Sequence, residues 1–121
     1  MYPDRVNDHV PKVLTQAQRD FYFDNGYVLL ESIVPIETIE RLRAVTEAMV
    51  ECSRLVSTSD AVFDLQPGHT ANGPRLRRLS SPVAHDPFYW EFASDSVIAD
   101  IAADLLGPNV KFHHSKLNFK W

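Results

Sequence analysis

The sequence predicts an α+β fold in which a helical N-terminal region precedes the first strands of a larger sheet. Apolar residues recur at helical spacings of three and four through much of residues 15–106, whereas residues 110–121 alternate between apolar and polar side chains. No turn or partner strand follows that last segment. We therefore expect the chain to be the front part of a larger protein, truncated before its sheet is complete.

The N-terminal region is expected to become ordered only after its first prolines. Residues 1–13 contain two prolines and few spaced apolar side chains, which predicts a loose leader ahead of residues 14–121, part of a single domain. A helix is predicted over residues 15–25. Thr15 and Gln18 have the three-residue spacing of a capping box at its start.

A glycine separates this helix from a short apolar segment. Gly26 can adopt the left-handed conformation that ends helices. The next residues, Tyr27–Leu30, are aromatic and aliphatic and are followed by polar residues. This pattern predicts a short buried strand.

Pro35 introduces the longest helical pattern, which we expect to continue to about residue 55. Its apolar residues recur every three or four positions, and the opposite side is charged. The apolar residues are Ile36, Ile39, Leu42, Val45, Met49 and Cys52. Such a stripe is typical of core packing rather than of a partner-binding groove, and Cys52 is interpreted as a small buried hydrophobe.

Periodicity is absent from residues 57–74, where glycine and proline mark turns. Loops of this length are commonly functional, so the segment is a candidate substrate lid, the alternative being a surface connection. The stretch Arg75–Leu79 is expected to be extended and to carry its arginines towards an anionic group.

Two shorter helices are predicted before the last strand. Asp86 and Pro87 are suited to the cap and first turn of one helix. The other spans about residues 95–106 and ends at Gly107.

The last predicted strand, residues 110–121, has two different faces. Alternation places Leu117, Phe119 and Trp121 on the apolar face. The polar face carries His114, Lys116, Asn118 and Lys120.

Composition excludes several classes of protein. With 45% hydrophobic and 11% aromatic residues, the chain has enough apolar surface for a folded core. A net charge of −4 without a long basic run argues against nucleic-acid or anionic-membrane partners. The single cysteine, and the absence of a signal-peptide pattern or a long apolar run, predict a cytoplasmic protein with small-molecule or protein partners.

The sequence contains no complete catalytic or metal-binding motif. None of its five histidines is followed two residues later by an acidic residue. His113 and His114 are adjacent, and adjacent residues of a strand point to opposite faces, so we do not expect them to chelate one ion. We predict no catalytic residue and no metal site in the chain.

The order of its segments nevertheless resembles a known family. The segments are Leu14–Leu30, the helix start at Val34-Pro35, Arg77–Leu79, His85–Phe88, Ile98–Asn109 and the strand through Lys116 and Lys120. Together they are similar to the N-terminal portion of the phytanoyl-CoA dioxygenase family of Fe(II)- and 2-oxoglutarate-dependent oxygenases. The resemblance implies a double-stranded β-helix, or jelly roll, backed by N-terminal helices.

The resemblance also implies Fe(II) and 2-oxoglutarate as cofactors, and a small-molecule substrate, for the full-length protein. The family's His-x-Asp motif, its distal histidine and its cosubstrate-binding arginine are absent from this chain. Because such an iron site needs two imidazoles and a carboxylate, we expect the chain alone to bind neither cofactor and to be inactive.

Four residues are candidates for the cosubstrate pocket. By the resemblance, Lys116 matches a strand position that lines the 2-oxoglutarate pocket, and Arg78 matches a basic position near it. Asn118 and His114 share the polar strand face with Lys116. The alternative is that this face meets solvent and that Arg77 and Arg78 form a solvated pair.

A second interpretation is a catalytically silent helical scaffold or interaction module. Its terminal strand would pair with the sheet edge of another chain or of a second copy. A coding sequence continuing into His-x-Asp would select the oxygenase, and a stop codon would select the module.

Overall fold

The computed structural model describes residues 3–121. The chain forms two compact units. The helical unit comprises the residues up to Pro35 together with Glu91–Phe112, and the sheet unit comprises Ile36–Trp90 together with His113–Trp121.

The predicted loose leader, residues 1–13, contains a helix in its described part, and Met1 and Tyr2 lie outside the described residues. Pro3–Asn7 form helix α1, and Val6 is buried. Further along, the carboxylate of Asp104 accepts hydrogen bonds from the backbone N–H groups of Lys12–Leu14, at 2.7, 2.8 and 2.9 Å. The segment is therefore held by a residue about 90 positions away, which local sequence patterns do not reveal.

Arg19 holds the same segment from helix α2, Gln16–Asn25. Its side chain is 1% exposed, and its guanidinium donates to the carbonyl oxygens of Val6 and His9, the latter at 2.9 Å. Carbonyl groups at the end of a helix lack hydrogen-bond partners within that helix. The two bonds from Arg19 satisfy the carbonyl of Val6, in the last turn of α1, and that of His9, just after the helix.

The predicted ends of α2 are confirmed. The Thr15 hydroxyl accepts from the Gln18 N–H at 3.2 Å, and the Gln18 side chain accepts from the Thr15 N–H at 2.9 Å, which completes the capping box. Gly26 ends the helix with φ 81°, in the left-handed region.

The predicted buried strand at Tyr27–Leu30 is wrong. These residues form no strand, and Tyr27 and Leu29 are 61% and 75% exposed. A strand requires a hydrogen-bonded neighbour, and no segment within residues 3–121 pairs with this one. Tyr27 instead packs edge-to-face on Phe21, with ring centroids 5.3 Å apart.

The sheet unit begins with helix α3, Ile36–Cys52, which a 3₁₀ turn over Ser53–Leu55 extends to the predicted end. The middle of the apolar stripe is half-buried, whereas Ile36 at its start is exposed. Core packing is concentrated near the end of α3, where Met49 and Val50 contact the buried cluster of the sheet.

The prediction that Cys52 is buried is also wrong, because the residue is exposed. Val50 and Ser53 face the core at this end of the helix. Cys52 follows Val50 by two positions, which turns it about 200° around the helix axis, away from that core.

Three antiparallel strands form the sheet in the order β1-β2-β3. They are β1, Phe63–Leu65; β2, Leu76–Ser80; and β3, Lys116–Asn118. The core beneath them consists of Phe63, Leu76 and Leu79. Strand β1 lies within the predicted loop of residues 57–74, where three residues are too few to show an alternating pattern.

Strand β2 confirms the extended segment and contains a β-bulge. Leu65 pairs with Leu76 and Asp64 pairs with Arg78, so Arg77 is an extra residue on β2. The bulge explains how Leu76 and Leu79, three positions apart, are both fully buried, since unbroken alternation would place them on opposite faces.

Strand β3 is shorter than the predicted segment of residues 110–121. Its partner β2 ends at Ser80, and Ser81 turns the chain away with φ 49°. The residues before Lys116 therefore lack a neighbouring strand within residues 3–121. The two predicted helices are confirmed as α4, Pro87–Ser94, and α5, Val97–Leu106.

Candidate functional site

The sheet brings together three of the four predicted pocket residues. Arg78 on β2 pairs with Asn118 on β3, and Ser80 pairs with Lys116. Paired residues lie on the same face of a sheet, and positions two apart on a strand share that face. Arg78, Asn118 and Lys116 are therefore neighbours on the face opposite to the core.

We call this surface the polar sheet face: Asp64, Arg77, Arg78, Ser80, Lys116 and Asn118. Asp64 belongs to it because it pairs with Arg78 from the other side. The face carries three cationic side chains and one carboxylate, and the three cations are exposed. This cationic surplus favours a small anion over a cation.

His114, the fourth candidate, is not part of the polar sheet face by strand pairing. It precedes β3 and is exposed. Its ring packs edge-to-face on that of His113, with centroids 4.6 Å apart. The two rings can meet because this segment is not a strand, so the predicted divergence of the two side chains does not hold here.

His69 fixes the loop that precedes β2. Its Nδ1 accepts from the Arg75 N–H at 2.9 Å, so Nε2 carries the proton and donates to the carbonyl oxygens of Ser53 and Val56, at 3.1 and 3.0 Å. The candidate substrate lid is thus tethered through His69. His69 had no predicted role, and turn residues on both sides of it were its only signal in the sequence.

The same loop lines an open groove of about 440 Å³ beside the polar sheet face. Its walls include Ser57, Thr58, Asp64, Gln66 and Arg77. Arg77 thus faces the groove, whereas Arg78 is not among its lining residues.

The helical unit contains a hollow of a different character. It has about 470 Å³ and is lined mainly by apolar groups from α2 and the segment after it, including Phe21, Tyr27 and Leu29. Gln18 and Tyr27 are its polar lining residues, and no charged side chain lines it.

Metal ligands are not assembled in the part of the chain that the structure describes. Among residues 3–121, no three histidine, cysteine, aspartate or glutamate side chains lie close enough to hold an ion. The donors among these residues therefore do not fit an iron site of two imidazoles and a carboxylate.

Asp104 is a buried acid outside the polar sheet face. Burial would raise its pKa, but the hydrogen bonds from the N–H groups of Leu14, Lys12 and Val13, with the nearby Arg19 charge, outweigh that effect and lower it. All three of these hydrogen bonds come from the backbone of residues 12–14, so we assign the Asp104 carboxylate a structural role.

A comparison with curated proteins links the chain to one oxygenase. It is 23% identical over 108 residues to a protein of Stutzerimonas stutzeri described as a probable alpha-ketoglutarate-dependent hypophosphite dioxygenase. The match covers 89% of this chain and 37% of the relative, so the chain spans little more than a third of that protein's length. No protein-family model matches the chain, and no solved structure matches it significantly.

The described residues also contain no helix of the length and apolar character needed to cross a bilayer.

Proposed function

We propose that this chain is the N-terminal part of a non-haem Fe(II)- and 2-oxoglutarate-dependent dioxygenase, of the phytanoyl-CoA dioxygenase type, that hydroxylates a small organic substrate. The observation that carries the proposal is the similarity to an alpha-ketoglutarate-dependent dioxygenase over 89% of the chain. The three-stranded sheet would then be the beginning of a jelly roll. A cytoplasmic location belongs to the same proposal.

The polar sheet face supplies the groups for the cosubstrate. 2-Oxoglutarate carries two carboxylates and a ketone, so it needs several convergent donors. The Arg78 guanidinium can hold a carboxylate by two parallel N–H···O bonds, and Lys116 adds a second cation from the neighbouring strand. The Asn118 amide, paired with Arg78, provides a neutral donor. His114 is a further candidate from the segment before β3.

Iron in such enzymes supplies the oxidation chemistry. Since residues 3–121 present no ligand set for it, we assign this chain the role of binding and orienting the cosubstrate within the full-length protein.

Cosubstrate binding to the purified gene product tests the proposal. We expect Arg78→Gln and Lys116→Ala each to weaken 2-oxoglutarate binding about tenfold, as the loss of one charged hydrogen-bond partner does, in isothermal titration calorimetry. Lys111→Ala is the matched control, because Lys111 is exposed and lies outside the sheet. Unchanged affinity in both test variants, or an equal loss in the control, would contradict the assignment.

An interaction module is the second candidate, and one observation favours it. Strand β3 lies at an edge of the sheet, and Trp121 beyond it is 63% exposed while stacked on Phe119. An apolar sheet edge of this kind promotes pairing with another chain. Concentration-dependent dimers in sedimentation velocity, abolished by Trp121→Lys, together with no 2-oxoglutarate binding, would favour this alternative.

A further inference from the structure

The β-bulge places two consecutive arginines on the same side of the sheet. In a regular strand, Arg77 and Arg78 would point to opposite faces. Here the flanking residues Leu76 and Leu79 are both buried, and both arginines are exposed. Arg78 keeps its pairing with Asp64 and Asn118, whereas Arg77 is the extra residue and lines the groove.

The groove has a fixed frame. His69 ties its loop to Ser53, Val56 and Arg75. Within the same loop, the Asp60 carboxylate accepts from the N–H groups of Phe63 and Val62, at 2.7 and 2.8 Å. Those bonds lower the pKa of Asp60. A groove whose loop is held by such bonds is preorganised for a ligand.

The polar groups of the groove are complementary to a ligand that carries both an acidic group and an amine or hydroxyl. No hydrogen bond or ion pair within residues 3–121 holds the guanidinium of Arg77, and the Asp64 carboxylate lines the same groove. The hydroxyls of Ser57 and Thr58 and the amide of Gln66 add uncharged donors and acceptors. One cation and one anion in a single groove disfavour a dianion and suit a molecule with an acidic group beside an amine or hydroxyl.

We propose that this groove binds a small amino acid or hydroxy acid, with Arg77 holding its acidic group and Asp64 its amine or hydroxyl. Although both arginines lie on one side of the sheet, they then serve two subsites, because Arg77 lines the groove and Arg78 does not: Arg78 faces the cosubstrate and Arg77 the second ligand. That this ligand is the oxygenase substrate rests on the proposed function. Its binding to the groove does not depend on that function.

Direct binding of simple probes to the gene product tests the groove. The probes are L-serine, which carries acid, amine and hydroxyl; inorganic phosphate, which is only an anion; and ethanolamine, which lacks the acid. We expect L-serine to shift backbone amide signals of residues 57–69 in NMR spectra and to bind more tightly than the other two. Arg77→Gln and Asp64→Asn should each weaken L-serine binding about tenfold.

Arg78→Gln is the matched control, since it removes the same group one residue away. We expect it to leave L-serine binding unchanged and to weaken 2-oxoglutarate binding, with the reverse pattern for Arg77→Gln. Equal losses of L-serine binding in the two arginine variants would overturn the separation into subsites. Phosphate binding as tightly as L-serine, or unaffected L-serine binding in Arg77→Gln, would overturn the ligand class.

The two proposals fail in different measurements. L-Serine binding without 2-oxoglutarate binding would retain the groove and reject the oxygenase. The opposite result would retain the oxygenase and reject the groove.

Discussion

At the scale of single residues, Asp104 links helix α5 to residues 12–14 of the helical unit. The side chain is 4% exposed, and three backbone N–H groups converge on it. An asparagine has one acceptor oxygen, and its amide group would face an N–H donor. We expect Asp104→Asn to lower the free energy of unfolding by about 2–4 kcal/mol, measured by urea denaturation.

Asp100→Asn is the matched control for that substitution. Asp100 lies on the same helix and pairs with the ammonium group of Lys12 at 3.0 Å, but both groups are well exposed. A surface pair of this kind contributes about 0–1 kcal/mol. Similar losses in the two variants would show that burial of the Asp104 carboxylate has no special effect.

The lowered pKa of Asp104 also gives stability a pH dependence. A carboxyl whose pKa is lower in the folded state contributes stability above its unfolded pKa of about 4, and this contribution disappears as pH falls through the folded pKa. We therefore expect the stability difference between the wild type and Asp104→Asn to be full at pH 6 and to shrink below about pH 4. A difference that stays constant to pH 2 would contradict this account.

His69 is the residue on which the groove's loop depends. Replacing it by alanine removes the acceptor of the Arg75 N–H and the donor to Ser53 and Val56. We expect His69→Ala to accelerate amide hydrogen exchange at Arg75 by about fivefold or more, since losing such a bond costs about 1 kcal/mol or more. Exchange within α2 of the helical unit serves as the internal reference and should not change.

Cys52 provides a simple check of the side-chain placement on α3. Because it is exposed, its thiol should react with a thiol reagent in the native protein nearly as fast as in denaturant. A thiol that reacts only after unfolding would show that Cys52 is buried, as the apolar stripe predicts.

At the scale of elements, the sequence predicted what local patterns encode. The capping box of α2, the long helix α3 and the glycine ends of α2 and α5 follow from neighbouring residues, and the structure confirms them. Tyr27–Leu30 has a strand-like composition but no partner among residues 3–121. Strand formation depends on a neighbour, so composition alone was insufficient there.

The bulge in β2 is an element that sequence patterns could not predict. Deleting Arg77 should restore regular alternation with Leu76 and Leu79 both still on the core face, because it leaves them two positions apart and in register with Leu65 and Phe63. We therefore expect the deletion to cost much less than Leu79→Ala, which should cost about 2–5 kcal/mol in a urea titration. Arg77→Gln keeps the bulge and should retain wild-type stability in the same titration. A deletion variant as unstable as Leu79→Ala would mean that the bulge itself is needed to bury both leucines.

At the scale of the whole molecule, the candidate site combines residues that are far apart in the chain. Lys116 and Asn118 could be proposed from the polar face of a predicted strand. Their proximity to Arg78 depends on pairing between strands nearly 40 residues apart, and the involvement of Arg77 depends on the bulge. The roles of Asp104 and Arg19 likewise depend on contacts between distant segments, which no spacing rule encodes.

The two units allow the cosubstrate site to be located without any assay of turnover. If 2-oxoglutarate binds to the polar sheet face, saturating ligand stabilises the bound state by about 2.7 kcal/mol at a hundredfold excess over Kd. We expect slower hydrogen exchange in β2 and β3, and no direct protection of α2, in the gene product. Lys116→Ala should lose this protection at the same ligand concentration, and Lys111→Ala should keep it. Protection centred on the apolar hollow beside Phe21 and Tyr27 would move the site to the helical unit and contradict the assignment to the sheet.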